Sequence, residues 1–312
     1  MFSNDVPVVC LMGPTASGKT ALSLEVAQQL SAEIISVDSM LVYRFLDIGT
    51  AKPTPLERAL VPHHLIDVCD PVDAYSVGKF CSDVATQINS VISRGRLPIL
   101  VGGTMMYFRA FQRGLASQLP TTNEQVRKKI SKEIEEQGLA EVYVRLKAID
   151  PITAFKINCN DSQRIQRALE VYEITGRGLS EIQAVNSPAR SNYRIINFII
   201  SPTSKIALND KIENRFNLML KAGLVEEVKE LMRADKLSPE LVPARSVGYR
   251  QVLQYLNGKV SYQEMIQAAV VATRQLAKRQ LTWLRQWKET TWHDSGDQLL
   301  CPKIANTIKS QL

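Results

Sequence analysis

Eight consecutive residues, Gly13, Pro14, Thr15, Ala16, Ser17, Gly18, Lys19 and Thr20, constrain this chain more than any other stretch. They fit the pattern G-x-x-x-x-G-K-[ST]. In it the glycines let backbone N–H groups turn inward around phosphate oxygens, the lysine adds a point charge, and the threonine hydroxyl can face a magnesium ion. The pattern carries meaning only between a strand and a helix. Here the apolar run VPVVCLM precedes it and the helical pattern KTALSLEVAQQL follows. A phosphate-binding loop opening a helix is therefore expected near the start of the chain.

Strand and helix signals continue to alternate after the loop. AEIISVD and RLPILVGG read as strands, and between them a helix starting near Ser76 has Phe80, Val84, Ile88 and Val91 on its apolar side. Such alternation implies a parallel sheet covered on both faces. The fold class expected is α/β, a P-loop NTPase-like parallel sheet flanked by helices. Around Pro120 the pattern changes. Thr122 with Gln125 reads as a capping box, and three helices follow: EQVRKKISKEIEEQG closing on a glycine, LAEVYVRLKAID stopping at Pro151, and SQRIQRALEVYEIT closing at Gly176. RIINFIIS then returns to strand composition, and everything from about Ser204 reads as helical. The expected organisation is a P-loop core from 1–119 and 191–312, with a basic helical C-terminal extension, and an all-helical insertion at 120–190.

Bulk properties exclude several classes. No apolar run approaches the ~18 residues that a spanning helix needs. The first apolar run is short and lacks a basic start, so it is not read as a signal peptide, and a cytoplasmic protein is expected. The five cysteines, Cys10, Cys69, Cys81, Cys159 and Cys301, never stand as C-x-x-C, so neither a disulfide framework nor a zinc knuckle is expected. His63 and His64 are adjacent and read as structural. Charge is informative through its location. From Arg245 to Lys288 eight basic residues face one acid, Glu264, a net of +7 that equals the net charge of the whole chain, +7. The rest sums to zero, so a polyanionic partner is expected at the C-terminal segment.

The cradle does not specify what it holds. A motor ATPase would carry an apolar strand ending in acids, whereas PILVGG ends in glycines and only IISVDS ends in a carboxylate, Asp38. Two chemistries fit: a small-molecule or nucleoside kinase, or another transfer in which phosphate is the leaving group. Arg215 adds a second clue. It lies three residues after Ile212 and four before Met219 in a stripe with Phe216, so it faces inward and needs a counter-ion.

GPTASGKT, DSMLVYRFLDIGTAKP, VGGTMMYFRA, DSQRIQRALEVYEITGR, RSVGYRQ and ATRQLAKRQLTWLRQW, in this order, resemble the bacterial tRNA dimethylallyltransferases along essentially the whole chain. The loop after Gly114 departs from the family pattern. The resemblance implies that the cradle grips the diphosphate of dimethylallyl diphosphate, with Mg²⁺ at Thr20, and that the dimethylallyl group passes to N6 of the adenosine 3′-adjacent to the anticodon. It implies Asp38, Thr104 and Arg215 as catalytic residues. It also brings Asp38, Ser39, Met40, Leu41 and Thr104 to tRNA, together with Arg127 and the run Gln163, Arg164, Ile165, Gln166, Arg167. Two further runs are carried over to tRNA in the same way: Arg245, Ser246, Val247, Gly248, Tyr249, Arg250, and Lys278, Arg279, Gln280, Leu281, Thr282, Trp283, Leu284, Arg285.

Helical geometry adds a phosphate track. At about 100° per residue, Arg274, Lys278 and Arg285 fall within about 40° of one another. Trp283 and Trp287 lie on another side and read as core packing. A free-AMP prenyltransferase is a further alternative, against which the basic segment and the helical insertion speak. Only one cysteine, Cys301, stands near the C-terminus, so a bacterial-type enzyme without a zinc finger is expected, acting as a monomer.

Overall fold

The computed structural model describes residues 7–114, 119–185, 193–288 and 290–312. The stretch after Gly114 that departs from the family pattern, and the expected boundary at 190/191, lie outside the described residues. The chain forms two compact units: one made of Met1–Gln112 with Asn192–Leu312, the other of Arg113–Ser191.

Among the described residues the first unit is built on six strands: β1 (Val8–Met12), β2 (Ala32–Val37), β3 (His63–His64), β4 (Leu97–Gly102), β5 (Ile195–Ser201) and β6 (Thr291–Asp294). They lie in the order β3-β2-β4-β1-β5-β6, and every pairing between neighbours is parallel. The helices, in chain order, are α1 (Lys19–Gln29), α2 (Pro55–Leu60), α3 (Val77–Ser93) and α4 (Met105–Arg113), then α5 (Glu124–Gln137), α6 (Leu139–Ile149), α7 (Pro151–Lys156), α8 (Ser162–Thr175) and α9 (Leu179–Val185) of the second unit. The first unit resumes with α10 (Lys205–Lys221), α11 (Leu224–Arg233), α12 (Tyr249–Leu256), α13 (Tyr262–Leu284) and α14 (Leu300–Lys309).

The central strands are apolar throughout because both faces are covered. Val9 and Leu11 of β1 pack with Leu22 and Val26 of α1 and Ile304 and Ile308 of α14. Val8, Cys10 and Met12 face the larger core, which takes in Phe80, Val84 and Ile88 of α3 and Ile212 and Phe216 of α10. Strand β6 is a finding that composition did not suggest. Its TWHD is mostly exposed and among the described residues pairs only with β5, so it lacks the apolar run of a central strand. The two adjacent histidines form β3, where His64 Nε2 meets Glu33 Oε2 at 2.7 Å and Arg94 holds the same carboxylate. Among the described residues all five cysteines are free, and no helix is long and apolar enough to cross a membrane.

The second unit holds five helices among its described residues, where three were expected. Pro151 does not merely stop a helix; it sits at the first position of α7, whose N-cap Asp150 accepts from Thr153 N at 2.9 Å. A proline costs nothing there because its missing N–H would have been unpaired anyway. The N-cap of α5 is Asn123 rather than Thr122: Asn123 Oδ1 accepts from Gln125 N and Val126 N. Both residue types cap well, and a one-residue difference leaves the apolar stripe unchanged. Ile130, Val142, Leu146, Ile165 and Leu169 form this unit's own core.

Candidate active site

Sheet register assembles the site. Val37 pairs with Gly102, Met12 pairs with Gly102, and Met12 also pairs with Ile199. The next residues, Asp38, Gly103 and Gly13, therefore emerge side by side at the carboxyl ends of β2, β4 and β1, where ligands of open parallel sheets bind. Close backbone approach explains two of the glycines. A Cβ on Gly102 would lie 2.0 Å from the Val37 carbonyl oxygen, and one on Gly13 would lie 2.2 Å from that of Ile200.

The cradle wraps the start of α1. Gly18, at φ +85°, caps the helix without a side-chain bond, leaving its amino end open. Ser17 is buried and Thr20 exposed. Lys19 Nζ donates to the Pro14 carbonyl at 2.6 Å and to Ser17 Oγ at 3.2 Å. Burial, and then the nearby Arg215 guanidinium, pull the Lys19 ammonium down to about 7, opposed by Asp38. Arg215 on α10 is likewise pulled below its ordinary value by burial, with Asp38 the opposing influence. Its Nη2 donates to the Thr50 carbonyl at 3.3 Å. Neither cation takes part in an ion pair among the described residues. Two shielded cations thus converge with no carboxylate bound to either, which is an electrostatic demand for an incoming anion.

Asp38 is both a turn residue and an open carboxylate. Its Oδ1 accepts from Met40 N at 2.8 Å and Leu41 N at 3.3 Å, while Oδ2 takes no partner among the described residues. Thr104 Oγ1 accepts from Ser39 N at 3.0 Å, and Thr104 N donates to the Val37 carbonyl. The threonine therefore holds the turn beside Asp38 and keeps its hydroxyl proton to donate. Two cavities meet here. One, of about 680 Å³, is lined by the cradle with Lys19, Thr20 and Arg215. The other, of about 380 Å³, is lined by Met40, Ile212, Phe216, Met219 and Leu276, and Asp38, Arg215, Thr15, Thr50 and Gln280 line both.

Gln280 is the residue whose placement differs most from its expected one. Its Oε1 accepts from Thr15 N at 2.8 Å and its Nε2 donates to the Gly103 carbonyl at 2.8 Å. It staples the cradle to the end of β4 with its amide oxygen and one of its two amide N–H groups, while lining both cavities. Other members of the carried-over runs are also committed inside the protein. Ile165, Tyr249 and Leu284 are buried in the cores. Gln166 donates to the Arg127 carbonyl and Ser131 Oγ, and Arg167 donates to Glu170 and the Pro120 carbonyl. Runs taken whole from helices necessarily include their inward faces. Arg274 leaves the expected track as well, because α10 packs there and Glu213 pairs with it at 2.9 Å. Trp283 and Trp287 pack against the core, as their helical positions suggested.

Several cations of those runs do remain at the surface. Arg245, Arg250, Lys278, Arg279 and Arg285 are exposed, as are Gln163 and Arg164. Arg164 pairs with Asp161, and Arg127 lies 3.7 Å from the buried Glu170. Ser39, Met40 and Leu41 form the turn above Asp38; Ser246, Val247 and Gly248 lead into α12 and line the smaller cavity. Leu281 packs against the core and Thr282 is exposed, its hydroxyl donating to the Lys278 carbonyl.

Cradle, open carboxylate and paired cavities, with the cradle and the carboxylate on adjoining strand ends, define a P-loop enzyme of the group-transfer class. The chain belongs to the IPP transferase family, whose profile matches residues 41–287, and an isopentenyl transferase profile matches residues 6–63. It is 50% identical over 302 residues to a tRNA dimethylallyltransferase of Coxiella burnetii, covering 97% of each chain, and 46% identical over 306 residues to that of Methylococcus capsulatus, covering 98% of each. Among solved structures, the full-length tRNA isopentenylpyrophosphate transferase from Bacillus halodurans superposes with a TM-score of 0.71 at 34% identity, over 98% of this chain and 96% of that one. A eukaryotic dimethylallyltransferase acting on tRNA superposes with a TM-score of 0.81 at 26% identity, over 97% and 77% of the two chains.

Proposed function

We propose that this enzyme transfers the dimethylallyl group from dimethylallyl diphosphate to N6 of the adenosine 3′-adjacent to the anticodon in tRNA. The observation that carries the reading is the meeting of two cations without counter-ions, Lys19 and Arg215, with the open Oδ2 of Asp38 at the junction of the two cavities.

The diphosphate takes the cradle side. Backbone N–H groups of the loop, the amino end of α1, Lys19 and Arg215 face the charge that grows on the leaving group as the C–O bond breaks. The adenosine takes the side next to Asp38. As N6 bonds to the allylic carbon it must lose a proton, and Asp38 Oδ2 accepts it. Ser39 N–H fixes Thr104, whose hydroxyl proton is left for the incoming base. The apolar side chains of Ile212, Phe216 and Met219 exclude water from an allylic cation.

Magnesium fits the donor set. The Thr20 hydroxyl is exposed at the cradle, and among the described residues no cluster of three His, Cys, Asp or Glu could hold a metal alone. A small hard cation that binds substrate phosphates and keeps several waters suits one hydroxyl better than a protein cage. When bound it adds charge stabilisation on the departing diphosphate. The exposed Lys278 and Arg279 of α13 and Arg285 at its C-cap support a polyanionic acceptor rather than a free nucleotide. One chain supplies all of these groups, so the reading needs no second subunit.

The test is transfer of labelled dimethylallyl diphosphate to an unmodified tRNA, with ATP and free AMP in parallel. Label should enter tRNA, vanish when the target adenosine is replaced, and fall by about 10²- to 10⁴-fold in Asp38→Ala. ATP turnover without tRNA label would make the protein a kinase, and label on AMP a free-nucleotide prenyltransferase.

A further inference from the structure

Arg215 is anchored by one backbone carbonyl, that of Thr50, on a loop that makes no regular secondary structure. What fixes that loop comes from far along the chain. The Glu227 carboxylate, in the first turn of α11, accepts from Asp47 N at 3.0 Å and Ile48 N at 2.7 Å through Oε2, and from Gly49 N at 3.2 Å through Oε1. Oε1 also accepts from Tyr249 Oη at 2.6 Å. The Tyr249 ring lies so close to Gly49 that a Cβ there would sit 2.5 Å from it. From this nest the chain turns directly into Thr50, whose hydroxyl donates back to the Leu46 carbonyl at 2.7 Å. The loop is closed by Ala51 N donating to the Ile48 carbonyl and Lys52 N to that of Asp47.

Four donors on one carboxylate exceed what capping a helix or closing a turn requires. The bonds converge on the three residues just before the carbonyl that holds Arg215. Lys52 pins the far end of the loop, donating to the Tyr43 carbonyl and to Asp47 and Asp67 at 2.6 Å each. Glu227 touches neither cavity; among the residues it binds, Gly49 and Tyr249 line the smaller one.

We infer that Glu227 is a positioning residue for the diphosphate: by gathering the N–H groups of residues 47–49 it sets the Thr50 carbonyl, and through it the Arg215 guanidinium, against the leaving group. The inference rests on the proposed reaction, since it takes the cradle's ligand to be a diphosphate. Glu227 acts only through Arg215, so its effect must disappear when Arg215 is absent.

The experiment is a double-mutant cycle on the full chain, with inorganic diphosphate and magnesium as the probe and calorimetry or competition as the readout. Wild type should bind diphosphate. Arg215→Ala should weaken binding roughly 10- to 100-fold, the usual effect of losing a charged hydrogen-bond donor. Glu227→Gln replaces one acceptor by an amide that repels N–H donors, and should weaken binding roughly 5- to 10-fold. In the Arg215→Ala background the same Glu227 change should alter binding less than about twofold. Thr50→Val, which removes the hydroxyl ties to the Leu46 and Asp47 carbonyls, gives a milder version of the same pattern and covers the case in which Glu227→Gln does not fold. In transfer assays both changes should raise KM for dimethylallyl diphosphate and leave KM for tRNA unchanged. Fold-changes that multiply in the double variant would overturn the inference while leaving the proposed reaction intact. A wild-type protein that binds no diphosphate would overturn both.

Discussion

The helical unit and the candidate site of the α/β unit treat buried charge in opposite ways. In the helical unit Glu170, Glu133 and Glu173 are matched by arginines, and the buried Asp150 is held by N–H and hydroxyl donors. Glu170, fully buried, accepts from Asn123 N and meets Arg167 at 3.0 Å and Arg127 at 3.7 Å, while Arg145 pairs with both Glu133 and Glu173. In the α/β unit the cations of the site, Lys19 and Arg215, are shielded from water yet bonded only to carbonyl and hydroxyl oxygens. A closed ion pair spends its charge on structure. An unpaired one keeps it for a ligand, and the protein tolerates its cost until the ligand arrives. Charge removed from the first region should therefore cost stability, and charge removed from the second should cost activity.

The sharpest break is Lys19→Ala. It should lower transfer by about 10²- to 10³-fold, or about 3–4 kcal/mol of transition-state stabilisation, as expected for loss of one preorganised donor to a developing anion. The melting temperature should stay level or rise, because a desolvated cation has been removed. Steady-state transfer assays and thermal unfolding on one preparation decide it; a large drop in melting temperature would mean that Lys19 is structural and the contrast false.

Glu170→Gln makes the converse case at intermediate size. Breaking a buried pair outright costs about 3–5 kcal/mol. Here Arg127 and Arg167 are 48% and 30% exposed and can turn to water, so about 2 kcal/mol is the expected loss. Amide hydrogen exchange should report it as loss of protection in α5 and α8, with the α/β sheet unchanged. Unaltered exchange in those helices would remove the structural half of the contrast.

The two regions also differed in how far they could be read from sequence. The cradle is local: strand, glycine-bearing loop and helix are contiguous, so spacing alone specified it. Asp38 was legible because it ends the second strand, and Arg215 because a charge in an apolar stripe is conspicuous. Gln280 carries no such mark. It stands 265 residues from Thr15, which it holds, and a glutamine on a basic helix looks like any solvated polar residue. Glu227 is 178 residues or more from the N–H groups it gathers. In the helical unit pairing was not visible, so the resemblance brought Arg167 to tRNA when packing had turned it onto Glu170. Edge strand β6 escaped because its residues face water and owe their conformation to β5 alone.

The smallest expected effect probes the unpaired charge without mutating it. Burial has lowered the Lys19 ammonium to about 7, well below its ordinary 10.5. Between those values the unfolded chain binds more protons at this position than the folded one, so the Lys19 contribution favours folding increasingly as pH rises from about 7 to 10.5. Diphosphate binding works the other way. An anion against Lys19 restores its charge, so at pH 8 binding should take up a fraction of one proton, and affinity should fall as pH rises above about 7. Calorimetry with inorganic diphosphate in two buffers of different ionisation enthalpy measures that uptake directly. Diphosphate releases protons of its own when it binds a cation, so the comparison is made against Lys19→Arg, whose guanidinium stays charged throughout. A proton uptake in wild type that exceeds the variant's assigns it to Lys19. Equal uptake in the two would mean that Lys19 is already charged in the free enzyme, and that solvent or the Asp38 carboxylate neutralises the site before any ligand enters.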